Sequence, residues 1–286
     1  MTRIPGDPQP PGGRSSGGRP DRQRRGSQGA SRRASPARGL APRIGEEADA
    51  SGGKGGTDEA SAPCPRCGKV AALCVCTEIV ALPNRIEVLI LQHPQEQDRD
   101  LGTARLALLH LQRSGLRVGL SWPNLAKALE RPADPRRWGV LYLGAAQLPE
   151  TGAARNEKGA PSQSGAVTVL DRKGQPMSNQ AACLRDLDGL VLLDGTWSQA
   201  KALWWRNAWL LKLNRLVLTP SAPSRYGRLR REPRQESVST LEALAQTLDA
   251  LEGRPDYERA MMASFERLLR AFAQSKAKPP ASESGS

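Results

Sequence analysis

Histidine is scarce: the 286 residues hold two, His93 and His110. His110 lies in an apolar helical run and reads as packed, so a Ser-His-Asp or Cys-His nucleophile system has little to build on. Phosphate-cradling glycine loops are absent as well. There is no G-x-x-x-x-G-K-[ST], and no G-x-G-x-x-G follows a strand, which removes the P-loop NTPase and Rossmann dinucleotide readings. No apolar run reaches membrane length, and no signal-peptide apolar core is present. The expectation is a soluble, cytoplasmic protein with no membrane partner and no stable protein partner.

Acidic residues are also in deficit. Lys and Arg number 42 against 29 Asp and Glu, a net charge of +13. Residues 1–60 carry eleven of the cations and seven of the acids, so nine of the thirteen net charges belong to residues 61–286. The folded part is basic in its own right, which suits either a solvated surface or a polyanionic partner such as nucleic acid. The segment 1–60 is Gly, Pro, Ser and Arg with almost nothing apolar to bury, and is expected to be a disordered basic tail. Residues 276–286 are expected to form a second disordered tail.

From residue 85 onward, short apolar runs alternate with helix-length segments. "RIEVLILQ", "WGVLYLGAA", "AVTVLD", "LDGLVLLDG" and "LNRLVLTP" read as buried strands. "GTARLALLHLQRSG", "MSNQAACLRDL", "SQAKALWWRNAWLL" and "STLEALAQTLDALEG" read as helices, and "PDYERAMMASFERLLRAFAQS" as a last amphipathic helix. This alternation predicts an α/β domain over residues 81–275, a largely parallel sheet with helices on both faces. Residues 150–164 read as a loop.

Four cysteines, Cys64, Cys67, Cys74 and Cys76, fall in thirteen residues with the spacing C-x2-C-x6-C-x-C. In a chain without a secretion signal that pattern predicts a tetrahedral four-thiolate zinc knuckle over residues 61–80 rather than disulfides. A redox pair and an iron–sulfur site are the alternatives. Gly68 supplies the turn after the first pair. A closed four-thiolate site leaves no open coordination position, so the zinc is expected to be structural. Cys183 reads as a core residue.

What remains for chemistry is Asp194, at the carboxyl end of the most apolar strand, the edge where α/β sheets bind ligands. A helix cap is the plain alternative for Asp194, and Thr196 is equally able to cap. Although only 4% of the chain is aromatic, four of its six tryptophans follow within fifteen residues. Trp204, Trp205 and Trp209 read as core packing, at least in part. Trp197, in the first turn, stands at the mouth of the strand-end crevice. Downstream, Arg225, Arg228, Arg230, Arg231 and Arg234 surround Tyr226 in a Gly- and Pro-interrupted stretch suited to phosphate contact and base stacking.

Taken together, the knuckle, "LQHPQE", "GTARLA", "LLDGTWSQAK", "PSRYGRLRREP" and "STLEALA" resemble the DTW-domain family, the tRNA-uridine aminocarboxypropyltransferases. One departure is Gly102, where relatives often carry Asn. The resemblance implies a SPOUT-like fold with a trefoil knot, S-adenosylmethionine (SAM) as co-substrate, and tRNA as partner. The 3-amino-3-carboxypropyl group would move to N3 of a uridine. Residue by residue, it implies that Leu193 and Asp194 meet the ribose and methionine end of SAM. Trp197 and Ala200 would line its methionine pocket, with Thr196 also counted among the cofactor contacts. Thr103 would take the methionine carboxylate, and Ser239, Thr240 and Leu241 would enclose the adenine. Asp194 is the candidate base for the N3 proton. Arg225, Tyr226, Arg228, Arg230 and Arg231 are the candidate tRNA contacts. A SPOUT-type RNA methyltransferase and a non-catalytic zinc-dependent RNA-binding module are the competing expectations.

Overall fold

The structure is a computed structural model that describes residues 62–141, 166–227 and 238–277. Strands β1 (Glu87–Gln92), β2 (Ser114–Val118), β3 (Trp138–Leu141), β4 (Ala166–Leu170), β5 (Gly189–Asp194) and β6 (Asn214–Thr219) form one sheet. Its order is β2-β1-β5-β3-β6-β4. Every pairing is parallel except β4 against β6. The helices are α1 (Ala104–Leu109), α2 (Leu125–Leu129), α3 (Gln180–Arg185), α4 (Trp197–Arg206), α5 (Thr240–Glu252) and α6 (Asp256–Ala277).

All six residues of β1 and of β5 are buried. Successive side chains of a strand point to opposite faces, so a strand apolar throughout must be covered twice. Val88, Ile90, Leu190 and Leu192 join a core with α1, α5 and α6, while Leu89, Leu91, Val191 and Leu193 join a second with α2 and α4. Each such side chain contributes about 1.5–3 kcal/mol on burial, which fixes β5 in the middle of the sheet. The predicted α/β architecture with helices on both faces is what the chain adopts.

Two expectations need correction. The helix read over residues 102–115 ends at Leu109, and Ser114–Val118 form β2 instead. That strand lies at the sheet edge and is only half-buried, so its sequence, SGLRV, carries no apolar run. The helix read through residue 211 breaks at Asn207 and continues as a 3-10 turn over Ala208–Lys212. Asn207 is fully buried, and its amide donates to the carbonyls of Leu203 and Leu120.

Among the described residues no helix is long and apolar enough to cross a membrane. The predicted tail over residues 1–60, the loop over 150–164, and Arg228, Arg230, Arg231 and Arg234 lie outside the described residues.

Candidate active site

β5 delivers Asp194 to the carboxyl edge of the sheet, directly opposite Gln92, the last residue of β1. The carboxylate is 7% exposed. Its Oδ2 accepts from Gln92 Nε2 at 2.8 Å and its Oδ1 from the Thr240 hydroxyl at 2.5 Å, so one side chain joins β1, β5 and the start of α5. Neither bond comes from the first turn of α4. Thr196 caps that helix, in a capping box with Gln199, so the cap role belongs to Thr196. A carboxylate offers about four acceptor positions, and two donors leave room for a further N–H.

Gln92 is 2% exposed, and its carbonyl oxygen Oε1 is buried without a hydrogen-bond partner among the described residues. Rotating the amide would set that oxygen against the Asp194 carboxylate, so the orphaned acceptor stays on the side away from it. A buried unpaired carbonyl is costly, and an incoming N–H or O–H donor would satisfy it. The glutamine was not among the expected site residues. Its sequence signals are its place in the "LQHPQE" element and a polar residue closing an apolar strand.

After Asp194 the chain turns at Gly195. A Cβ there would stand 2.9 Å from Gln199 Cβ and 3.4 Å from His93 Cβ, so only glycine permits this close turn. Gln199 Nε2 donates to Gln95 Oε1 at 3.1 Å, linking α4 to the loop after β1. Trp197 is half-buried, and Ala200 and Leu193 are buried in the second core. Thr103 is buried at the start of α1.

At α5, Ser239 is the N-cap and Glu242 completes its capping box. The buried Glu242 carboxylate does more than cap. It accepts from the backbone N–H groups of Ser239 (2.7 Å) and Arg225 (2.7 Å) and from the Ser224 hydroxyl (2.8 Å). The segments before and after residues 228–237 are thus held on one carboxylate, two residues from Thr240. Glu242→Gln would turn an NH2 group toward at least one of these donors. The variant should lose about 1–3 kcal/mol of stability, seen as a fall of several degrees in the thermal midpoint. An unchanged midpoint would mean that Glu242 does not hold the two segments.

Tyr226 overturns an expectation. It is 2% exposed, stacks edge-on against Phe265, and its hydroxyl donates to the Leu101 carbonyl at 2.7 Å. The ring cannot offer a face to a base without leaving the core. It instead ties this segment to the Leu101–Thr103 turn. Arg225 is exposed and ion-paired with Glu266.

In the knuckle, the sulfurs of Cys64, Cys67, Cys74 and Cys76 lie within 4.8 Å of one another and could hold a metal ion. Cys64–Cys76 and Cys67–Cys74 are each 3.9 Å apart. A tetrahedron with zinc–sulfur bonds of about 2.3 Å has edges of about 3.8 Å, which these two separations match. None of the four is in a disulfide. Burial opposes ionisation of Cys64, but the N–H groups of Cys67 and Arg66 outweigh it and bring the thiol down to about 7. Burial pushes the Cys67 and Cys76 thiols up. Gly68 adopts φ 71°, the left-handed turn expected of it. The knuckle is anchored by Leu73 and Ile79 in the first core, by Lys69 Nζ on the Arg99 carbonyl (3.1 Å), and by Glu78 on Arg267 (2.6 Å). His110 is buried, and burial with the nearby Arg267 lowers its pKa to about 4, in keeping with a packed role. Cys183 is half-buried against the first core.

A family model described as the DTW domain matches residues 61–273. A Drosophila melanogaster protein named tRNA-uridine aminocarboxypropyltransferase 2 is 28% identical over 213 residues, covering 72% of this chain and 73% of that protein. Proteins of the same name from Macaca fascicularis and Mus musculus are 27% and 28% identical, over 66% of this chain. The matched region spans 56% of the length of each of these two. No solved structure matches significantly.

Proposed function

Because the chain belongs to the DTW-domain family, we propose that it transfers the 3-amino-3-carboxypropyl group of SAM to N3 of a uridine in tRNA. The observation that carries the proposal is convergence. Gln92, Asp194 and Thr240 come from three separate motif segments, and hydrogen bonds gather them at one sheet edge. The relatives' name supplies the reaction type.

In the proposed reaction the uridine N3–H proton passes to the Asp194 carboxylate. The N3 lone pair forms a bond to the methionine γ-carbon, and the carbon–sulfur bond breaks with its electrons returning to sulfur, releasing 5′-methylthioadenosine. Gln92 and Thr240 fix the carboxylate in place, and alignment of N3 with the breaking bond supplies most of the acceleration. The unpaired Gln92 oxygen suits an N–H donor of either substrate. Leu193, Thr196, Trp197, Ala200, Thr103, Ser239 and Leu241 are the proposed SAM contacts, in a SPOUT-like trefoil knot. Thr240 would combine a place beside the adenine with its bond to Asp194. Arg225, Arg228, Arg230 and Arg231 are the proposed phosphate contacts. Cys64, Cys67, Cys74 and Cys76 would hold one structural zinc ion, whose closed thiolate shell leaves it no part in the transfer.

Dual-labelled SAM tests the proposal. With tRNA, label from the methionine carboxyl carbon should reach the RNA and methyl label should not. Transfer of methyl label alone would make the protein a methyltransferase, and transfer of neither would leave an RNA-binding module.

A further inference from the structure

We infer that the outer face of α4 around Trp205 is a second tRNA contact, on which an unpaired base stacks. The inference rests on the proposed tRNA activity and extends it to a surface that none of the expected contacts includes. Trp138 and Trp209 are buried, and Trp122 and Trp204 pack against the second core. Trp205, one position beyond Trp204, is rotated out of that core and is 77% exposed. An indole displayed to this degree, on a helix held by a capping box at one end and by buried Asn207 at the other, is a rigid stacking platform.

Charge identifies the occupant. Lys201, one helical turn before Trp205, is exposed, as are Arg206 and Lys212, and none of the three is in an ion pair among the described residues. From Gly195 to Arg231 the chain contains no Asp or Glu and eight Lys or Arg. The backbone at Leu120 and Ser121 runs along this end of the helix: Asn207 Nδ2 donates to the Leu120 carbonyl, and Ser121 Oγ donates to the Arg206 carbonyl at 3.1 Å. A single aromatic face with Lys201 one turn before it and Arg206 next to it matches a base flanked by phosphates. Protein interfaces differ, because they are depleted of Lys.

The test is equilibrium binding of tRNA to the full chain and to Trp205→Leu, Trp205→Phe and Lys201→Ala variants across a salt series. Trp205→Leu should weaken binding roughly tenfold, the scale of one base stacked on an aromatic ring, with the salt slope unchanged. Trp205→Phe should restore most of the loss. Lys201→Ala should weaken binding and reduce the salt slope by about one. SAM affinity, thermal midpoint and turnover at saturating tRNA should stay at wild-type values in Trp205→Leu. Wild-type affinity in Trp205→Leu would overturn the inference while leaving the proposed activity intact. So would a change confined to self-association, which would assign the patch to a second copy of the chain. If the wild-type protein neither binds nor modifies tRNA, the proposed activity itself fails.

Discussion

Asp194→Asn should lower single-turnover transfer to tRNA by roughly 10² to 10⁴ at neutral pH, with SAM affinity changed far less. The site accommodates Asn without rebuilding. Its oxygen can still accept from Gln92 Nε2, and its NH2 group would face the Thr240 hydroxyl, which can turn from donor to acceptor. What the amide cannot do is accept the N3 proton. Helix capping does not confound the result, because Thr196 caps α4. Raising the pH should partly rescue the variant, since uridine then begins to lose its proton unaided, whereas the wild-type rate should depend on pH less steeply. The measurement is the rate of label transfer against pH at saturating SAM. A near-normal rate at neutral pH would reduce Asp194 to a group that holds three segments together.

Cys67→Ser should abolish metal binding and lower the thermal midpoint by on the order of 10 °C. A serine hydroxyl does not ionise near neutral pH, so a cation would lose one of its four charged ligands. The effect should be large because the knuckle is built into the main core. Leu73 and Ile79 pack with α1, α5 and α6, and opening the thiolate cluster exposes them. Transfer per folded molecule, measured well below the midpoint, should remain within a few-fold of wild type. Elemental analysis of the freshly purified wild-type protein should give one zinc per chain. No metal, or a variant that melts with the wild type, would remove the staple.

Much of this was legible because local chemistry and tertiary demand agreed. The middle residues of β1 and β5 are apolar since each strand faces two cores, and S-T-L-E and T-W-S-Q announce the helix starts that Ser239 and Thr196 cap. The illegible parts depend on partners far along the chain. β2 is half-buried at an edge, so neither an apolar run nor strict alternation marks it. Tyr226, surrounded by arginines, looked like a stacking ring, but a carbonyl 125 residues away satisfies its hydroxyl inside the core. Ser239 and Glu242 have the spacing of a capping box, and nothing nearby in the chain signals that Glu242 also binds Ser224 and Arg225. The adjacent pair Trp204 and Trp205 could not both face inward on a helix, and only the fold decides which one does.

Asp194 ends a strand that has parallel neighbours on both sides and a core on both faces, and the ladder continues one step past it through the His93 N–H on its carbonyl (2.9 Å). Backbone amides in such a strand exchange with solvent only when most of the molecule opens, so β5 should be among the last segments to take up deuterium. The carboxylate is therefore mounted on the part of the protein that fluctuates least. Its partner Thr240 stands on the first turn of a helix, where local opening is easier. The proposed proton acceptor thus stays in register while the α5 side of the site loosens.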